Sequence, residues 1–142
     1  MLDGPGSWSV PPRLEALGEP LRRAAGLSRM NLLFVCARNR RRSPTAEVVF
    51  AGVGGVATDS AGLSPDAEQR LAAEQIAWAD VVFVMERRHR TQLTRGFGAA
   101  LRGKRVVCLG IPDDFAFNDP ELIRLLWERV PRSVPGLAAA RP

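Results

Sequence analysis

An apolar run, Leu32-Leu33-Phe34-Val35, ends on Cys36, and six residues later Arg42 leads into Ser43-Pro44-Thr45-Ala46-Glu47. The run has the continuous hydrophobic character of a strand buried on both faces. The second stretch reads as a helix that opens with proline at its first position. The cysteine therefore falls in a loop between a strand and a helix. Backbone amides of such a loop, with the first free N–H groups of the helix, can surround an oxyanion. A thiol at the mouth of that hole is set to attack phosphorus. Spacing alone carries little weight, because 19 of the 142 residues are arginine. The strand before, the helix after, Asn39 inside the loop and Ser43 directly behind Arg42 give the pattern its meaning.

The rest of the chain repeats the alternation. After the loop, Ala46, Val49 and Phe50 mark one face of a helix that Gly52 ends, and a weaker strand within Val53 to Ala61 closes on Asp59-Ser60-Ala61-Gly62. Ser64-Pro65-Asp66 reads as a helix N-cap, with Ala67, Leu71, Ala72 and Ile76 on the buried face. Val81-Val82-Phe83-Val84-Met85 is a second strong strand, followed by a basic helical segment from Glu86 to Arg95. Arg105-Val106-Val107-Cys108-Leu109 is the fourth, and Asn118-Asp119-Pro120-Glu121 caps a last amphipathic helix through Leu122, Leu125, Leu126 and Val130. Strands alternating with helices predict one α/β domain, a parallel sheet covered on both faces. Ligands of such sheets bind at the carboxyl ends of the strands, where Cys36 lies.

The length suits one domain with a real core. Residues 30–142 are expected to form it, with Met30 a candidate start. Residues 1–29, rich in proline and glycine, are expected to be a flexible or loosely docked extension in which only Arg13 to Ala25 could make a short helix. The net charge of +5 comes from those 19 arginines and one lysine, Lys104. This is a compositional bias as much as a binding design, and nucleic acid is not an expected partner. Cys36 and Cys108 are too few for a disulfide-stapled fold and lack zinc-site spacing. With no apolar run of membrane-spanning length and no signal-peptide pattern, a cytoplasmic protein with no membrane partner is expected. Trp78 and Cys108, among apolar neighbours, read as core, and His89, in a run of arginines, as surface.

The segment from Cys36 to Glu47 resembles the phosphate-binding loop of the low-molecular-weight protein tyrosine phosphatases: a cysteine, five residues, then Arg-Ser-Pro-Thr-Ala-Glu. Asp59-Ser60-Ala61-Gly62 is similar to that family's Ser-Ala-Gly segment, Ala79 to Glu86 to its third strand, and Ile111-Pro112-Asp113-Asp114-Phe115 to its general-acid loop. The likeness spans residues 30 to 131 and points to a short, divergent bacterial branch. It implies a four-stranded parallel sheet with helices on both sides and hydrolysis of a phosphomonoester through a phosphocysteine. In it, Cys36 would be the nucleophile, Arg42 the bidentate clasp on two phosphate oxygens, and Ser43 the hydroxyl donor to the sulfur. Ala37, Arg38, Asn39, Arg40 and Arg41 would line the phosphate, with Asn39 the residue that tolerates a left-handed backbone. Asp113 would be general acid and then base, with Asp114 and Asp119 as alternatives. Phe115 would belong to the substrate pocket. No metal or cofactor is implied. The implied partners are a phosphorylated protein or small aryl phosphate as substrate, and inorganic phosphate or sulfate in the loop.

The sequence departs from that family in three places. Arg38 stands at the usual glycine, Arg41 at the usual second cysteine, and Arg40 where a small or apolar residue lines the pocket. The usual Asp-Pro of the acid loop is Asp113-Asp114, while a literal Asp-Pro occurs at Asp119-Pro120, where a helix cap explains it. The stretch between Gly62 and Ala67 is too short for the family's aromatic-bearing wall. Two other functions fit the same pattern: a thiol-dependent arsenate reductase using Cys108 as relay, and a module that binds phosphoprotein or nucleic acid without turnover.

Overall fold

The computed structural model describes residues 30–141, so the expectations for residues 1–29 lie outside the described residues. Four strands form one parallel sheet in the order β2-β1-β3-β4: β1 (Asn31–Cys36), β2 (Ala57–Gly62), β3 (Val81–Val84) and β4 (Arg105–Cys108). All six residues of β1 and all four of β3 are buried, as two central strands covered on both faces require. Helix α1 (Arg42–Phe50) follows β1, α2 (Ala73–Trp78) precedes β3, α3 (Arg87–Phe97) follows β3, and α4 (Pro120–Arg129) and the short α5 (Pro135–Ala138) follow β4.

Alternation along the strands builds two cores. Leu32, Phe34 and Cys36 face one side with Phe83 and Met85, against Phe50 of α1 and Leu122, Leu126 and Trp127 of α4. Here Phe34 stacks on Phe50 at 5.9 Å and on Phe83 at 5.2 Å, and Phe50 meets Trp127 at 4.8 Å. Each such pair adds ~0.5–1.5 kcal/mol to plain burial. Leu33, Val35, Val82 and Val84 face the other side, against Leu71, Ile76 of α2 and Leu93 of α3. No helix among the described residues is long and apolar enough to cross a membrane.

Three local expectations are corrected. Pro44 is the third residue of α1, which begins at Arg42, and is tolerated because the first-turn amides need no helical partner. The helix expected to start at Ser64 starts only at Ala73. Residues 63–71 are extended and turned because their amides are engaged elsewhere: Ser64 N–H donates to Ala37 C=O, Glu68 N–H to Arg38 C=O, and Leu71 N–H to Gly62 C=O. Leu71 and Ile76 are nevertheless both buried. Trp78 is not core but 37% exposed. On a helix as short as α2 only one position faces the sheet; Ile76 takes it, and a residue two further on points away.

Gly62 is where this 63–71 segment presses on the loop after β1. A Cβ there would lie 2.5 Å from the Ala67 Cβ and 2.7 Å from the Ala37 oxygen. Gly62→Ala is expected to destabilise the fold by about 1–3 kcal/mol through overpacking. Gly96→Ala, whose added methyl meets nothing on α3, should stabilise it by about 0.4–1 kcal/mol. Denaturant unfolding of the two variants checks this, and equal effects would mean that the contact at Gly62 is not tight.

Candidate active site

The loop from Ala37 to Arg41 turns back under the sulfur of Cys36 through one left-handed residue, Asn39, at φ 57°. That conformation points the Asn39 amide at Cys36 Sγ, 3.3 Å away, and its side-chain Nδ2 at Ser43 Oγ, 2.9 Å away. Ser43 Oγ is itself 2.9 Å from Sγ. Since the hydroxyl accepts from Asn39, its one proton is available to the sulfur, with Ala61 C=O at 3.5 Å the longer alternative. Cys36, Asn39 and Ser43 are all buried. Two donors therefore converge on a sulfur that lines the floor of a cleft.

Arg42 sets the direction of approach. Its side chain is 3% exposed, and Nη1 donates to Glu86 Oε1 at 3.0 Å and to Ile111 C=O at 2.7 Å. Nη1 has no further proton, so the edge formed by Nε and Nη2, the fork that fits two oxygens of a tetrahedral anion, is the one that can take a ligand, with Asp113 Oδ1 3.7 Å from its Nε. Burial disfavours the Glu86 carboxylate, but hydrogen bonds from Arg42 and Arg88 outweigh this and hold the group below its ordinary value.

His89, expected at the surface, is fully buried. Its Nδ1 accepts the Glu86 N–H at 3.1 Å, capping α3, while Nε2 lies 3.5 Å from Glu86 Oε1 and has no hydrogen-bond partner among the described residues. Burial first, then the Arg42 charge, push the imidazole from 6.5 down to about 4. His89 is thus a neutral prop behind the Glu86–Arg42 pair. A signal for it was present: His89, Leu93 and Phe97 recur every four residues, one face of α3, and all three pack inward. Glu86, the other residue that sequence reasoning left without a role, had no comparable signal.

The cleft above the sulfur has a volume of about 520 Å³. Ala37, Arg38, Arg40 and Arg41 line it from the loop, Arg88 and Gln92 from α3, residues 63–65 from the opposite wall, and Asp113 from the segment after β4. Asn39 and Ser43 lie beneath this lining rather than in it. Asp113 Oδ1 is 3.7 Å from Arg42 Nε, and the aspartate is half-exposed. Its segment is fastened at both ends, by Ile111 C=O to Arg42 and by Asn118 N–H to Thr45 Oγ1, which in turn donates to Arg41 C=O. Asp114 is exposed and lines no part of the cleft. Asp119 caps α4, its Oδ1 accepting from the Glu121 amide at 2.8 Å. Phe115 does not line the cleft either; it is partly buried against the aromatic core around Phe34, which draws it inward. Cys108 is only partly buried, packs against the core on the other face of the sheet, and lies on the edge strand β4 with β3 between it and β1. It has no route to Cys36. No group of three or more His, Cys, Asp or Glu among the described residues is placed to hold a metal ion.

The buried imidazole makes the fold acid-sensitive in a definite window. Above about pH 6.5 His89 is neutral in folded and unfolded chains alike and contributes no pH dependence. As pH falls from 6.5 towards 4 the unfolded chain takes up a proton that the folded one refuses, so stability drops. At ~1.36 kcal/mol per pKa unit the loss is expected to reach up to roughly 3 kcal/mol. Urea midpoints across this range should fall more steeply for the wild type than for His89→Asn, whose carbonyl can still accept the Glu86 N–H. Parallel slopes would assign the sensitivity elsewhere.

No family model and no curated protein matches this sequence. Solved structures do. The arginine phosphatase YwlE of Geobacillus stearothermophilus superposes with a TM-score of 0.59 at 23% identity, covering 75% of this chain and 93% of that one. The tyrosine phosphatase Wzb of Escherichia coli K30, in complex with phosphate, gives 0.61 at 22% identity over 75% and 97% of the two chains. The tyrosine phosphatase AmsI of Erwinia amylovora gives 0.56 at 22% identity over 78% and 91%. Identity at this level speaks for architecture. The chain has the fold of the low-molecular-weight protein tyrosine phosphatases, with Cys36 at the carboxyl end of β1.

Proposed function

We propose that this protein hydrolyses phosphomonoesters through a phosphocysteine intermediate on Cys36. The observation that carries the reading is the convergence of the Asn39 amide and the Ser43 hydroxyl on Cys36 Sγ, in a cleft that Arg42 and Asp113 also line. In the first step the thiolate attacks phosphorus from the side opposite the ester oxygen. The S–P bond forms, the P–O bond breaks, and Asp113 gives its proton to the departing alkoxide or phenolate. Arg42 and the loop amides hold the equatorial oxygens while charge shifts among them. In the second step Asp113, now ionised, takes a proton from water as that water attacks phosphorus. The S–P bond breaks, inorganic phosphate leaves, and the Ser43 hydroxyl meets the charge returning to sulfur. Every proton is accounted for without a metal or a cofactor.

Among proteins of this fold, one bears the name of an arginine phosphatase and others of tyrosine phosphatases. A phosphorylated protein side chain or a small phosphate ester is the proposed substrate here, and a reducing compartment such as the cytoplasm would keep Cys36 free. Arsenate reduction draws no support, because a relay thiol is missing near the site.

Release of phosphate from an aryl phosphate between about pH 5 and 7 tests the reading. Cys36→Ser is expected to be inactive. Asp113→Ala should lose ~10²–10⁴ in rate, the usual worth of a general acid. Asp114→Ala and Asp119→Ala should stay within a few-fold of wild type, and the Cys36 enzyme should be trapped as a phosphocysteine by rapid acid quench. Folded wild type that releases phosphate no faster than Cys36→Ser would remove hydrolysis as the function.

A further inference from the structure

The walls of the cleft carry cations that the reacting phosphoryl group does not use. Among the described residues that line it, five are arginine, one is acidic and none is aromatic. The five differ in their commitments. Arg42 is buried and tied to Glu86. Arg88 donates through Nε and Nη2 to Glu86 Oε1 at 3.2 and 3.0 Å and so belongs to the support behind Arg42. Arg40 meets Glu68 at 3.3 Å, but both ends of this pair are exposed, and a solvated ion pair yields readily to a competing anion. Arg38 and Arg41 are exposed and have no carboxylate within ion-pair distance among the described residues. Two guanidinium groups without an ion pair among the described residues, and a third in a solvated one, thus stand on the loop beside Cys36, the chemistry best suited to carboxylate or phosphate oxygens. No aromatic side chain among the described lining residues offers a stacking surface for an aryl ring.

We propose that the preferred substrate is a phosphomonoester carrying a second anionic group near the first, held by Arg38, Arg40 and Arg41. The inference rests on the hydrolytic reading above and specifies its substrate class. The second anion can be another phosphate on a small molecule or a carboxylate beside a phosphorylated side chain; both present paired oxygens to a guanidinium fork.

Two substrate pairs test it. Phenyl phosphate is compared with benzene-1,4-diyl bisphosphate, and a phosphotyrosine peptide flanked by alanines with the same peptide flanked by glutamates. The readout is the ratio of kcat/KM within each pair, so any loss of chemistry common to both members cancels. Wild type is expected to favour the more anionic member of at least one pair about tenfold or more. The identity of that pair tells whether the second anion is a phosphate or a neighbouring carboxylate. Arg38→Ala/Arg41→Ala should bring that ratio down to about two for the bisphosphate, the statistical value for two equivalent groups, or about one for the peptides. Arg95→Ala/Arg102→Ala, which removes the same charge from residues outside the cleft, should leave it unchanged. Turnover with statistical ratios in both wild-type pairs overturns this inference and leaves hydrolysis standing. A preference that survives the loop variant, or falls equally in the remote one, overturns the assignment to the loop arginines. No turnover of any compound removes the hydrolytic reading and this inference with it.

Discussion

A buried guanidinium is the constraint on which this site depends. Arg42 lies at the start of α1, yet its Nη1 is held by a carboxylate at the end of β3 and by a carbonyl just past β4. A charge so far from water is tolerable only when paired and hydrogen-bonded, and removing one partner of such a pair typically costs about 3–5 kcal/mol. The two contacts join the carboxyl ends of three strands, β1 through its loop, β3 and β4, at one point. They also determine which edge of the guanidinium stays open. Stability and the proposed oxyanion recognition thus use different halves of one side chain, and a change at Glu86 would be felt at the guanidinium without touching a substrate.

The sheet order explains why the parts meet there. With β1 between β2 and β3, the loop after β1 has the 63–71 segment on one side and the Glu86 end of β3 on the other. The missing Cβ at Gly62 lets the first of these approach closely enough for Ala37 and Arg38 carbonyls to be bonded by Ser64 and Glu68 amides. These two carbonyls are therefore turned to a neighbour, while the Asn39 amide is turned to the sulfur. Thr45 does the same service for the segment that carries Asp113, accepting from Asn118 while donating to Arg41.

What could be read in the sequence was local, and what could not was tertiary. The four strands follow from apolar runs, and the Cys36–Arg42–Ser43 geometry follows from a strand, a short loop and a helix start, all within a dozen residues. Of the three candidate aspartates Asp113 is the one that lines the cleft, and Asp119 has the capping role that its Asp-Pro-Glu context suggests. The Ser64 cap was locally plausible and lost to hydrogen bonds with the loop after β1, which no window of sequence contains. Trp78, expected in the core, is exposed, and Phe115, expected in the pocket, packs on the core, because burial was decided by which position faced a core already filled by Ile76 or still open near Phe34. His89 was masked by its arginine neighbours, since composition dominated over a four-residue periodicity that identified it.

Arg38, standing where related loops have glycine, would be a defect only if that position required a left-handed backbone. It does not. The non-glycine residues at positive φ among the described residues are Asn39 and Asn118, at 57° and 60°. Asparagine is the side chain that adopts this region with least strain after glycine, and in both places the turn delivers a bond to the site: Asn39 to Cys36 and Ser43, Asn118 to Thr45. With the reversal of the loop carried by Asn39, the positions on either side of it are free to hold long side chains. Arg38 and Arg40 occupy them, and the loop retains its curvature while gaining charge at its rim.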